Sequence, residues 1–390
     1  MTEIGLLVIG SGPAGHTAAG AYREAGGEGA VVLLSAEGRL PYERPPLSKD
    51  LLRGESEPDD TRIEDAPWYA ERDIVLRAGT AVALDADARA VALADGADVR
   101  YGTCVLATGA EPVRPPVDGA ALPGVHVLRT VEDALALRTG AAPGARVVVV
   151  GSGFIGCEAA ASLRRRGCEV ALLSEDASPQ QPRLGDEVGE RLAGWLTEAG
   201  VAARYETSVA AIARADGALR VEASRGAALD ADLVLLAAGV RPRSDLAREA
   251  GLPLAEGGEV LADAAMRTGA EGVLACGDCA RARHAVAGRP LHVEHWGDAL
   301  AQGEIAGATA AGRTAEWTTV PGFWSTIGER TLKYAAWGDG FDEVHVRDHG
   351  GGAFTAWYGT DGRCTGVLAH GRDEDYDRGR ELIAAGAPLP

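Results

Sequence analysis

Leu6-Leu-Val-Ile-Gly-Ser-Gly-Pro-Ala-Gly15 sets an apolar strand directly before a turn made of glycine and other small residues. Gly10 can turn the strand tightly, Gly12 lets backbone approach a pyrophosphate, and Gly15 lets the following helix lie close on the sheet. The predicted helix covers residues 14–25 and stops at Gly26-Gly27. A second apolar strand covers 30–34, and Glu37 follows where a ribose-binding carboxylate is expected. A glycine turn alone is a weak signal. Strand, turn, helix, strand and acid in that order are a stronger one, and the unit recurs over residues 147–173 with Gly151, Gly153 and Gly156. Two copies imply two bound dinucleotides.

The chain of 390 residues is long enough for two or three ordinary domains, and 46% of it is apolar, which excludes disorder. A net charge of −19 argues against nucleic acid or an anionic membrane as the main partner, since both call for a basic surface. No apolar run approaches membrane-spanning length, so a cytoplasmic protein is expected. Cys104, Cys157, Cys168, Cys276, Cys279 and Cys364 lack the spacing of a disulfide scaffold and read as reduced, mostly buried thiols; no metal site is expected. There are 2 lysines, Lys49 and Lys333, against 36 arginines. Where arginine is the default cation, a lysine hints at a site wanting a compact charge on a flexible stem.

Along the chain, Arg44-Pro-Pro-Leu-Ser-Lys49 cannot begin as ordinary helix, and Ser48 reads as a cap for the helix carrying Leu51 and Leu52. Residues 61–101 read as short strands with an aromatic turn at Trp68-Tyr69. They lead to an apolar strand ending in Ala107-Thr108-Gly109, a small-residue turn where backbone can lie against a cofactor. A proline-rich crossing over 112–123 precedes the second nucleotide unit. Arg164, Arg165 and Arg166 fall at the wrong end of its helix for phosphate and read as cations complementing the helix C-terminus. Residues 233–239 echo the turn at 105–109 and close the insertion at Gly239. A strand ending at Gly277-Asp278 offers a carboxylate for a polyol hydroxyl or for a helix cap. From residue 313 the pattern becomes alternating, with strands at 331–337, 342–348, 353–359 and 363–369 and a helix over 373–385. Two dinucleotide sites, the second inserted between halves of the first, suit a flavin enzyme reduced by a nicotinamide cofactor, so the expected fold is α/β: two Rossmann-like dinucleotide-binding domains, resembling the glutathione-reductase-like FAD/NAD(P) fold, plus a small C-terminal α+β domain. The boundaries are 1–111 with 240–312 for FAD, 112–239 for NAD(P)H and 313–390 for the last domain.

Gly-Ser-Gly-Pro-Ala-Gly at 10–15, Arg-Pro-Pro-Leu-Ser-Lys at 44–49, Leu-Pro-Gly-Val-His-Val-Leu-Arg-Thr at 122–130, Gly-Ser-Gly-Phe-Ile-Gly-Cys-Glu at 151–158, Cys-Gly-Asp at 276–278 and Glu-His-Trp at 294–296 together resemble one family. That family is the oxygenase-coupled, FAD-containing NADH:ferredoxin reductases, and the resemblance covers roughly residues 4–325. It implies that Lys49 sits beside the flavin and pairs with Glu158 as the catalytic couple. It further implies that Ala14 and neighbouring amides meet the pyrophosphate, with Pro13 in the same turn, that Arg44 and Arg129 meet FAD, the Val82 backbone adenine, Asp278 the ribityl chain and Trp296 the flavin edge. Thr108, Gly109, Gly277, Glu294 and His295 fall in the same cofactor motifs. Gly153, Phe154, Ile155, Gly156, Glu175 and Gly239 are carried over to the nicotinamide side. The implied cofactors are FAD and NADH, with NADPH as the alternative, and the implied partner is a 2Fe-2S ferredoxin, the protein itself being a monomer or homodimer.

Three departures stand out. Ala36 replaces an acid, leaving the ribose to Glu37. Ser174 stands where NADH-selective relatives carry glutamate, with Glu175 next. Phe323-Trp-Ser325 continues as Thr326-Ile327-Gly328 in place of Asp-Gln. Because an acidic ferredoxin cannot be attracted globally by an acidic chain, Arg281, Arg283, His284, Arg289, Arg313, Arg330 and Lys333 are the candidates for a local docking patch. Other readings are an NADH oxidase or a flavin reductase with another acceptor, and an NADH-sensing interaction protein similar to apoptosis-inducing factor. A disulfide reductase is disfavoured because residues 42–52 hold no cysteine.

Overall fold

The computed structural model describes residues 4–215 and 217–390. Its first sheet is organised by strand Ile4–Ile9, flanked by Ala30–Ser35 on one side and Asp98–Leu106 on the other, all parallel. Ile74–Ala78 extends one edge and Val273–Ala275 pairs with Asp98–Leu106 on the other side. Leu6 to Ile9 and Val31 to Leu34 are buried without alternation, as expected of strands covered on both faces. One cover is the pair of helices Pro13–Glu24 and Trp296–Ala310. They approach through small residues: a Cβ on Gly303 would lie 2.3 Å from the Ala14 carbonyl, and one on Gly307 equally close to that of Ala18.

The second sheet is also parallel, in the order Ala202–Arg204, Glu169–Leu173, Arg146–Val150, Leu233–Leu236 and Val125–His126. Chain enters and leaves this part side by side, because Ala110–Pro112 pairs antiparallel with Val240–Pro242. The last sheet is antiparallel, ordered Gly322–Ile327, Arg330–Ala336, Arg363–His370, Ala353–Thr360 and Glu343–Gly350, with helix Asp373–Ala385 following. The sequence reading found four of these strands and missed Gly322–Ile327. That strand is an edge whose exposed Trp324 and buried Ser325 invert the ordinary apolar-in, polar-out pattern.

Trp68 and Tyr69, expected in a turn, lie in helix Ala66–Glu71, which Pro67 opens in its first turn. Tyr69 is buried there and its hydroxyl meets His16 Nδ1 at 2.9 Å. The C-terminal sheet shares one core with the second nucleotide unit: Leu184, Leu192 and Trp195 pack with Phe354, Tyr358 and Leu368. Tyr358 also donates to the Leu184 carbonyl at 3.0 Å. This packing holds the edge strand Gly322–Ile327 against the nucleotide units.

Candidate functional site

The two glycine turns are built alike. Gly10 has φ +109° and a Cβ there would sit 2.2 Å from the Ala107 carbonyl; Gly151 has φ +104° and the same atom would lie 2.3 Å from that of Ala237. The small-residue ends of two sister strands therefore cover the two turns, which is why residues 105–109 and 233–239 look alike. Helices Pro13–Glu24 and Phe154–Arg165 both have a glycine N-cap and no side-chain cap. Helix Val131–Gly140, by contrast, is closed by Thr130 and Asp133 in a capping box. The uncapped amides of the first two remain available to an anion.

Both turns open into one cleft of about 1260 Å³. This exceeds the ~300–1,000 Å³ common for a single small ligand and suits two nucleotides end to end. Around the first turn, Glu37 accepts from the Tyr42 hydroxyl at 2.5 Å and pairs with Arg44 at 3.1 Å. Burial, reinforced by Glu37, raises the Tyr42 phenol, which stays a donor. Arg129 pairs with Asp278 at 2.7 Å, while its Nε is buried without a partner among the described residues. His292 holds the Asp278 carbonyl at 3.0 Å and Glu259 at 3.1 Å. Burial raises the Glu294 carboxyl, with Asp278 adding to the effect. An unsatisfied guanidinium nitrogen beside a carboxylate, in one cleft with an uncapped helix N-terminus, is a donor set that fits the diphosphate and ribityl parts of a flavin dinucleotide.

At the junction of the two turns lies a buried charge cluster. Lys49 Nζ donates to Glu158 Oε2 at 2.6 Å and to the Pro45 carbonyl at 2.9 Å. Ser48 Oγ donates to the same Glu158 oxygen at 2.5 Å. The other oxygen, Oε1, accepts from Ser325 Oγ at 2.7 Å and the Thr326 amide at 3.3 Å. Lys49 also lies 5.1 Å from the centre of the half-exposed Trp324 ring. Four donors thus meet the buried carboxylate, and neither of its oxygens is left without a partner. Phe154 packs edge-on against Phe323 at 4.7 Å, and His295 lies against the same ring at 4.5 Å, which dries the adjoining wall.

Of the residues expected at the site, Gly15, Val82, Gly151 and Glu175 lie off the cleft wall and the others line it. Gly15 works from behind, in contact with the Gly10 carbonyl. Val82 is 48% exposed, and its neighbours Thr80 and Ala81 line the wall. Glu175 is exposed, while Ser174 is buried and bonded to Ser152 Oγ at 2.7 Å. Ser48 does not cap a helix: Asp50–Arg53 begins at Lys49 without a side-chain cap, and the Ser48 hydroxyl turns to Glu158. Ser48 and Ser325 were missed as site residues because an isolated serine carries no pattern; only proximity to Glu158 marks them.

Arg164 and Arg166 bond carbonyls of Cys168, Arg53 and Ala141 at the helix end, and Arg165 pairs with Glu55 at 3.0 Å. Five of the seven docking candidates are buried or held by acids, while Arg283 and Arg313 are exposed. His284 is fully buried, Arg281 is held by Glu259 at 2.8 Å, Arg330 by Glu198 at 2.5 Å, Lys333 by Asp373 at 2.8 Å and Arg289 by Asp339. The acidic majority of the chain neutralises its own arginines locally. All six cysteines are buried and free, and burial raises Cys276 and Cys279 away from thiolate chemistry. No helix among the described residues is long and apolar enough to cross a membrane.

Residues 5–311 match the family described as pyridine nucleotide-disulphide oxidoreductase, and residues 322–390 match the reductase C-terminal family. Rhodocoxin reductase of Rhodococcus erythropolis is 34% identical over 391 residues, covering 98% of this chain and 90% of that protein. The ferredoxin–NAD(+) reductase component of the anthranilate 1,2-dioxygenase system of Burkholderia cepacia is 36% identical over 389 residues, covering 98% and 94%. A crystal structure of the covalent putidaredoxin reductase–putidaredoxin complex superposes with TM-score 0.93 at 29% identity, covering 100% of this chain and 94% of that one.

Proposed function

This chain belongs to the pyridine nucleotide-disulphide oxidoreductase family, and we propose that it carries electrons from NADH through FAD to a 2Fe-2S ferredoxin serving an oxygenase. The observation that carries the reading is that two uncapped nucleotide turns share one cleft whose junction is the Lys49–Glu158 pair. The names of the relatives support the acceptor class.

In this reading residues 1–111 and 240–312 bind FAD, 112–239 bind the nicotinamide nucleotide, and 313–390 form the domain beside the flavin. The backbone N–H groups of Gly12 and Ala14 would meet the flavin diphosphate and Glu37 its ribose. Arg129 and Asp278 would part to take the ribityl and phosphate oxygens. Gly153 to Gly156 would meet the nicotinamide diphosphate. Bound flavin supplies the redox chemistry, taking two electrons as hydride and releasing them singly. The Lys49 ammonium lies where it can neutralise charge gained by the reduced ring, and Glu158 fixes its position. Phe154, Phe323 and His295 would keep water from the part of the cleft beside Lys49 and Glu158.

The deciding experiment is stopped-flow mixing of the anaerobic yellow protein with NADH, followed by a 2Fe-2S ferredoxin. Bleaching and then rapid flavin reoxidation with ferredoxin reduction are expected. A flavin that bleaches but reoxidises only with oxygen would turn the assignment to an oxidase.

A further inference from the structure

The C-terminal sheet takes part in the flavin-side charge cluster. Three separate pieces of chain meet on the Glu158 carboxylate: Ser48 and Lys49 from the proline segment, Glu158 from the first turns of helix Phe154–Arg165, and Ser325 with the Thr326 amide from strand Gly322–Ile327. Consecutive residues of that strand engage opposite members of the pair. Trp324 lies over Lys49 and Ser325 donates to Glu158. Ser325 is 1% exposed, so no water can replace its hydroxyl without rearrangement.

Glu158 has one oxygen for Lys49 and one for the strand. Without the Ser325 hydroxyl, Oε1 keeps a single long contact, the Thr326 amide at 3.3 Å. A buried carboxylate oxygen short of donors turns toward the remaining strong ones, here Lys49 and Ser48, and draws the ammonium with it. The position of the Lys49 charge in the cleft is then set partly by a strand residue of the C-terminal sheet that does not itself line the cleft.

We infer that Ser325 is a positioning residue, which through Glu158 fixes where Lys49 holds its charge and so tunes flavin reduction from the C-terminal sheet. The inference rests on the proposal that Lys49 faces the flavin. Ser325→Ala and Ser325→Cys are compared with the unchanged protein, alone and combined with Glu158→Gln, all FAD-loaded. Flavin reduction by saturating NADH should slow about tenfold in either single variant, with the NADH concentration for half-maximal rate little changed. The absorbance band of the reduced flavin–NAD+ complex should shift as it does in Glu158→Gln. In the Glu158→Gln background Ser325→Ala should add less than about twofold. Equal slowing by Ser325→Ala with and without Glu158, or no slowing in either Ser325 variant, would overturn the inference. Urea unfolding of the unchanged protein, Ser325→Ala, Glu158→Gln and their double variant separates a failure of the function from a failure of the contact. Non-additive midpoints for Ser325 and Glu158 with no NADH reduction of the unchanged protein would fault the function, whereas additive midpoints would fault the contact.

Discussion

Lys49 Nζ and Glu158 Oε2 lie 2.6 Å apart across 109 residues of sequence, and both side chains are nearly shut off from solvent. One belongs to the segment after the first nucleotide turn, the other to the helix that follows the second. A pair so placed costs desolvation that bare stability does not require, and apolar residues could fill the space as well. Its position at the junction of the two nucleotide turns supplies the reason to keep it.

Lys49→Met should therefore slow flavin reduction by NADH by ~10²-fold, the usual scale for losing a preorganised contact to developing charge. Glu158→Gln should act in the same direction but more mildly, since Ser48 and Pro45 still hold the ammonium. Single-turnover absorbance reads both. Unchanged rates in the two variants would assign the pair to structure alone.

Nucleotide preference turns on the end of strand Glu169–Leu173. Ser174 is buried on Ser152, Glu175 is exposed, and no arginine stands at 174–176 to meet a 2′-phosphate. NADH should be used more efficiently than NADPH, and Glu175→Arg should narrow the ratio by about tenfold. Ratios of kcat/KM for the two nucleotides decide it; better use of NADPH by the unaltered protein would refute the assignment.

Thiol titration tests the absence of a redox dithiol. Cys276 and Cys279 are buried, and that burial raises both. Six thiols should be counted in denaturant whether or not the protein has first been reduced by NADH. A gain of two on reduction would mark this pair as a working disulfide.

Stability should fall with acid partly through His16. Burial, with Arg72 adding to it, lowers its pKa from 6.5 to about 4. The unfolded chain binds that proton more readily than the folded one, so the contribution is whole above pH 6.5 and is lost as pH falls toward 4. Its size is ~3 kcal/mol. His16→Gln should flatten this part of a urea-midpoint profile between pH 7 and 4. An unchanged slope would place the acid sensitivity elsewhere.

Local chemistry determined a great deal here. A strand that must bury both faces, a turn that only glycine can make and a helix with no cap are consecutive events along the chain, so both nucleotide units could be read residue by residue. Lys49, Glu158, Arg129 and Asp278 could be singled out by motif. Which groups complete each charge could not, because a hydrogen bond depends on distance in space and serine, threonine and arginine carry no periodic signal. Tertiary packing alone brought Ser48 and Ser325 onto Glu158, set Arg129 against Asp278, and paired most of the supposed docking cations with acids. Strand Gly322–Ile327 went unread for the same reason: its polar residue faces inward to a buried carboxylate supplied by a helix far earlier in the chain, so the rule that polar residues face water fails there.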